Sequence, residues 1–139
     1  MKALVDASSL LLLLKHVDGK RLADAAGDLS TLDMAVYEAS NGIWKQASLL
    51  KQFTRDDALE AHGALLRLAS HLSLVRWDEL DHHEAMNAAI KERIAYYDAC
   101  YIVAAKHLGL PLVTDDRRLT AAASGQRVMG WRELAETIQ

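Results

Sequence analysis

The chain has 139 residues, 51% hydrophobic and 25% charged, with a formal net charge of -3. That length and balance fit one globular domain over residues 1–139 with its own buried core, and they exclude a disordered tail or a fibre. The charge excludes a strongly basic coat for nucleic acid, although a local basic patch can hold a phosphate backbone where an ion screens an acidic site.

Lys2 to Asp6 is a short apolar run that ends on a carboxylate, the pattern of a buried strand delivering Asp6 to its C-terminal edge. Ala7 to Lys15 reads as a helix with Ser8 or Ser9 near its start, and Gly19 separates it from a second short helix over Arg21 to Ala26. Its apolar run Leu10 to Leu14 is too short for a signal peptide, and no stretch approaches the roughly 20 apolar residues of a membrane span. A brief strand is expected at Leu29 to Leu32, then a long helix from about Met34 to Leu50 carrying Glu38 and Asn41. Arg55 to His71 is amphipathic and forms a helical hairpin with it. Leu72 to Trp77 suits a strand, and Asp78 suits the cap of a helix running to about Lys91.

A further helix covers about Tyr97 to Leu108, with Gly109 as its stop. It contains Cys100, the single cysteine, which cannot form an internal bridge, has no nearby histidine base, and is expected in the core of a cytoplasmic protein. Pro111 to Thr114 is a buried strand with Asp115 and Asp116 directly behind it. Arg118 to Ala123, Gln126 to Met129 and Trp131 to Ile138 complete the pattern as helix, edge strand and helix. Strands alternating with helices predict an α/β fold, a parallel sheet of four to five strands flanked by helices in three layers.

In such a sheet the strand ends and the following helix starts share the edge where ligands bind. Asp6, Glu38, Asp98 and Asp116 all fall on that edge in this reading. Two carboxylates within about 4 Å repel by on the order of 4 kcal/mol at an effective dielectric near 20, so a cluster must protonate or recruit a cation. Oxygen-only ligands suit Mg²⁺ or Mn²⁺ rather than zinc, and the chemistry implied is hydrolysis of a phosphate ester.

Val5-Asp6-Ala7-Ser8, Tyr37-Glu38-Ala39-Ser40-Asn41, Tyr97-Asp98-Ala99 and Leu112-Val113-Thr114-Asp115-Asp116-Arg117-Arg118-Leu119 resemble the four acidic blocks of PIN-domain nucleases, especially the VapC-like toxins of toxin–antitoxin pairs. The blocks stand in family order across nearly the whole chain. The resemblance implies metal-dependent RNA cleavage, a homodimer, and inhibition by a small antitoxin. It makes Asp116 the ligand of the last block with Asp115 as its neighbour, and Ser8, Asn41 and Thr114 supporting residues. Arg117 and Arg118 are candidate contacts for RNA phosphates.

Other readings remain beside these. Asp6 could be a phosphatase nucleophile, but Ser8 stands where that chemistry places a second aspartate, and Glu38 and Asp98 then have no task. An inactive PIN-like binding module is the non-enzymatic alternative. Asp81-His82-His83-Glu84 reads as a solvated run, because adjacent histidines point to different helix faces. Tyr37, Trp44, Leu49 and Phe53 have near-helical spacing that suits packing or a dimer surface, and Lys15 and Lys45 have no motif that places them at the site.

Overall fold

The computed structural model describes residues 1–138. Five short strands form one sheet: β1 (Ala3–Val5), β2 (Leu29–Leu32), β3 (Ser73–Val75), β4 (Leu112–Val113) and β5 (Val128–Met129). Their order is β3-β2-β1-β4-β5 and every pair is parallel. Parallel neighbours need crossovers, and helices supply them. After β1 come α1 (Ala7–His16) and α2 (Gly19–Ala25), and after β2 come α3 (Asp33–Ser48) and α4 (Arg55–Ala69). After β3 come α5 (His82–Glu92) and α6 (Tyr96–Leu108), after β4 comes α7 (Arg117–Ala122), and α8 (Trp131–Ile138) follows β5.

From β1 the chain builds outward through β2 to β3, then returns to the far side of β1 for β4 and β5. Right-handed crossovers running in opposite directions place α1 to α4 on one face and α5 to α7 on the other. In agreement, α1 packs on α3 and α4, while α6 packs on β1, β2 and β4 with α5 and α7 beside it. This is the expected three-layer α/β/α arrangement. The reversal opens a crevice at the C-terminal ends of β1 and β4, where the two helix layers part.

Burial explains why the inner strands carry unbroken apolar runs: Ala3, Leu4, Val5, Leu112 and Val113 are all 0% exposed, covered from both faces. Pairing of Leu4 with Leu112 and Val5 with Val113 brings Asp6 and Thr114 out of the sheet side by side. The Asp6 N–H donates to the Val113 carbonyl at 3.1 Å, so the carboxylate is fixed to the last rung of the ladder.

Several element ends differ from the sequence reading. Neither Ser8 nor Ser9 caps α1; Asp6 does, its carboxylate accepting from the Ser9 N–H at 2.8 Å. Gly19 begins α2 behind the cap Asp18 rather than standing between helices. β3 is confined to Ser73–Val75, because Trp77–Glu79 turns as a 3-10 helix whose start is held by the Asp33 carboxylate, which accepts from the Trp77 N–H at 3.0 Å. The helix expected behind Asp78 therefore starts later, with Asp81 as its cap and Arg93 in the left-handed conformation at its end. Tyr37, Trp44 and Leu49 are 81%, 51% and 61% exposed, so helical spacing there marks a surface and not the core. Cys100 is buried as expected, and burial pushes its thiol pKa up.

Candidate metal centre

Asp6, Glu38, Asp98, Asp115 and Asp116 line one pocket of about 300 Å³ at the crevice between β1 and β4. Each arrives on a different local device. Asp6 leaves β1 and caps α1, which spends one of its oxygens on the Ser9 N–H. Glu38 projects from the second turn of α3, where the Tyr101 hydroxyl donates to its Oε1 at 3.1 Å. Asp98 lies in the first turn of α6. Asp116 caps α7, with Oδ1 accepting from the Arg118 N–H at 2.8 Å and the Leu119 N–H at 3.0 Å. These caps are local and strong, because an N-terminal carboxylate answers both the orphan N–H groups and the helix dipole.

Thr114 connects two of the acids. Its buried hydroxyl accepts from the Asp116 N–H at 3.1 Å and lies against Asp6, whose charged form it favours. Asp115 points toward Gly130, where a Cβ would stand 2.5 Å from its Oδ1, so the absence of a side chain at Gly130 makes room for this carboxylate. The pocket thus takes both aspartates of the pair rather than one.

Charge in the pocket is uncompensated, since no lysine or arginine lines it among the described residues. Burial raises the Asp6 pKa first; hydrogen bonds from Thr114 and Ser9 pull it back, and the Asp115 charge raises it again. Glu38 is likewise raised by burial, then by Asp98 and Asp6, against the lowering effect of Tyr101. Asp98 is raised by burial and by the charges of Asp116 and Asp6. Three acids that resist ionisation around one space are the electrostatic counterpart of a cation site. The Ser9 hydroxyl is 1% exposed, lines the same pocket and lies against Asp6, whose charged form it favours. An all-oxygen donor set of this kind fits a hard divalent ion that keeps water ligands.

The remaining predicted residues fall around this pocket. Ser8 is exposed and lines both the acid pocket and a neighbouring groove, whereas Asn41 lines only the groove. Arg117 and Arg118 are exposed at the start of α7. Lys15 lines a different, apolar cavity, but Lys45 lies in the groove beside Glu38. Tyr101 and Ser9 escaped the sequence reading. Both sit in apolar or small-residue helical stretches where nothing in spacing separates a site hydroxyl from a core one.

A second cluster lies elsewhere. Asp81, Glu84 and His107 bring ligand atoms within 4.8 Å of one another, because α5 packs on α6, which supplies in His107 the partner that the local sequence lacks. Lys106 already donates to Glu84 at 2.8 Å, and Asp81 is committed to the helix cap, so this trio works as an ion-pair clasp between the two helices. His82 joins the same region by bonding the Tyr96 hydroxyl and the Trp77 carbonyl.

The PIN domain family matches residues 3–125 of this chain. Exonuclease VapC9 of Pyrobaculum aerophilum is 35% identical over 122 residues, covering 88% of this chain and 86% of the relative. Ribonuclease VapC3 of the same organism is 31% identical over 128 residues, covering 86% and 92%. The crystal structure of PAE2754 from Pyrobaculum aerophilum superposes with a TM-score of 0.82 at 31% identity, over 99% of this chain and 95% of that one. DNA-bound VapBC from Salmonella typhimurium shares the fold at a TM-score of 0.68 and 16% identity, over 94% and 98%. The family match over residues 3–125, together with relatives 35% and 31% identical over most of the chain, shows that the chain belongs to the PIN-domain family, among its VapC-like members.

Proposed function

We propose that this chain, working as one unit over residues 1–139, is a Mg²⁺- or Mn²⁺-dependent endoribonuclease and the toxin of a toxin–antitoxin pair. The observation that carries the reading is the pocket lined by five carboxylates with no lysine or arginine among its described lining residues. The nuclease names of the two Pyrobaculum relatives support the reaction class. Asp6, Glu38, Asp98 and Asp116 hold the metal, which when bound supplies Lewis acidity toward water and the phosphate oxygens.

The protein's own groups fix the geometry. Asp6 cannot swing away, since the β1 ladder and the α1 cap hold its backbone and one oxygen. Tyr101 orients Glu38, and Thr114 sets Asp6 and Asp116 relative to each other. Asp115, Ser8 and Ser9 supply the outer polar contacts of the pocket. Asn41 supports the strand in the adjoining groove, and Arg117 and Arg118 steady the phosphate backbone at the rim. Preorganised positions of this kind lower the reorganisation needed at the reacting phosphate.

A small antitoxin and a second copy of the chain are the proposed protein partners, and the setting is cytoplasmic. Exposed Trp44 and Leu59, which line an apolar cleft of about 470 Å³ between α3 and α4, support a surface that another chain covers. No described helix is long and apolar enough to cross a membrane. The reading is tested with Asp6→Asn and Asp98→Asn, each expected to lose RNA cleavage while keeping its circular dichroism spectrum. Cleavage at the wild-type rate in both purified variants would remove the assignment.

A further inference from the structure

We infer that the groove beside the acid pocket, between α1 and α3, is a subsite for one unpaired nucleotide of an RNA strand, with Tyr97 as its stacking surface and Lys45 as its phosphate anchor. The inference rests on the phosphodiesterase reading of the acid pocket and adds to it the nucleotide next to the one being cut.

Met34, Glu38, Asn41 and Lys45 are spaced four, three and four residues apart on α3, so they share one face of the helix. That face lines a groove of about 560 Å³ together with Ser8 and Tyr97. Ala7, Ser8 and Glu38 line this groove and the acid pocket alike, so the two spaces are continuous. A strand with one phosphate at the carboxylates therefore passes directly into the groove. Lys45 is seven residues beyond Glu38, about 10 Å along the helix axis, so it lines the groove on the side away from the carboxylates, where the strand continues.

The chemistry of the lining fits a nucleotide. Tyr97 is 52% exposed and precedes Asp98, so its ring is available to a base beside the acid pocket. Leu11 and Met34 give an apolar floor, and α1 approaches α3 closely there because Gly42 has no Cβ; one would stand 2.7 Å from Leu11 Cδ1. Asn41 is exposed and offers both a donor and an acceptor to a base edge. Charge favours the same direction of binding. The acid pocket repels an unscreened phosphate, whereas the groove balances Glu38 with Lys45, the one cation among its lining residues. Stacking on Tyr97 requires a base free of its helix partner, so the subsite selects single-stranded over double-stranded RNA.

The test uses the purified full chain, with labelled single-stranded and duplex RNA oligonucleotides of the same sequence, read by fluorescence anisotropy and by initial cleavage rates with Mn²⁺. Tyr97→Leu is expected to weaken single-strand binding about tenfold, to place the loss on KM rather than kcat, and to narrow the preference over duplex. Tyr97→Trp should recover most of that loss. Lys45→Ala should lower the slope of log K against log salt by about 0.7, the share of one phosphate contact on a single strand, while Lys91→Ala on α5 leaves it in place. If the wild type cuts RNA but Tyr97→Leu and Lys45→Ala match it in affinity, salt slope and strand preference, the subsite is wrong and the functional reading stands. A wild type that neither binds nor cuts RNA with either metal overturns both.

Discussion

Tyr101→Phe isolates one atom of the proposed centre. The Tyr101 ring is 2% exposed and packs in the core, so phenylalanine keeps its shape and removes only the hydroxyl that donates to Glu38 Oε1 at 3.1 Å. A hydrogen bond to a charged group is worth about 1.5–3 kcal/mol, and groups that orient a metal ligand typically control about 10- to 100-fold in metal affinity. Since Glu38 is only half-buried, we expect the lower end, about tenfold weaker Mn²⁺ binding by titration calorimetry. The pH profile supplies a second readout. Tyr101 lowers the Glu38 pKa, so losing it raises that pKa further, and the metal must compete with a more tightly held proton. Mn²⁺ affinity in the variant should therefore set in at higher pH than in the wild type. Metal-free stability should fall by about 1 kcal/mol or less, a shift of a few degrees in Tm. Tyr37→Phe, one residue before Glu38 but 81% exposed, is the control that should change nothing. Wild-type Mn²⁺ affinity and an unshifted pH profile in Tyr101→Phe would refute the claim that this hydroxyl positions Glu38.

Other expectations follow from the same electrostatics. Asp6, Glu38 and Asp98 have folded pKa values above their ordinary ones, so their contribution to stability is fully present below about pH 4 and is lost as pH rises through the raised values. Metal-free protein should accordingly lose stability from this set as pH rises above about 4, and saturating Mg²⁺ or Mn²⁺ should restore it, as thermal melts across pH would record. Asp98→Asn should raise metal-free stability at pH 7 modestly, because it removes a charge that burial and the neighbouring Asp116 and Asp6 disfavour, while losing activity. Asp116→Ala should cost about 1 kcal/mol through loss of the α7 cap, whereas Asp116→Asn keeps the cap and loses metal binding; denaturant titration separates the two. Gly130→Ala should displace Asp115 and reduce Mn²⁺ affinity with little change in the far-ultraviolet spectrum.

Much of the architecture was legible because the inner strands are apolar runs that stop on acids. Ala3–Val5 followed by Asp6, and Leu112–Val113 followed by Thr114-Asp115-Asp116, announce both the doubly covered sheet and its ligand edge. Glu38 and Asp98 were harder, since a helical carboxylate has many uses, and only their order with the other blocks singled them out. What stayed hidden depends on contacts between distant segments. Tyr101 meets Glu38 across 63 positions, His107 meets Glu84 across 23, and Asp33 holds the Trp77 turn across 44, moving the α5 cap from Asp78 to Asp81. Asp115 and Asp116 both line the pocket, the first in the room that Gly130 leaves and the second as the α7 cap, a juxtaposition that depends on the distant Gly130. Lys45 likewise reaches the neighbouring groove through the helical period of α3 rather than through any motif.

The most direct measurement is cleavage of a panel of single-stranded and structured RNAs by the purified chain with Mg²⁺, with Mn²⁺ and with chelator, alongside Asp98→Asn. We predict cutting with either metal, none with chelator and none by the variant. Cutting that persists in chelator, or in Asp98→Asn at the wild-type rate, would contradict a metal centre built on these carboxylates.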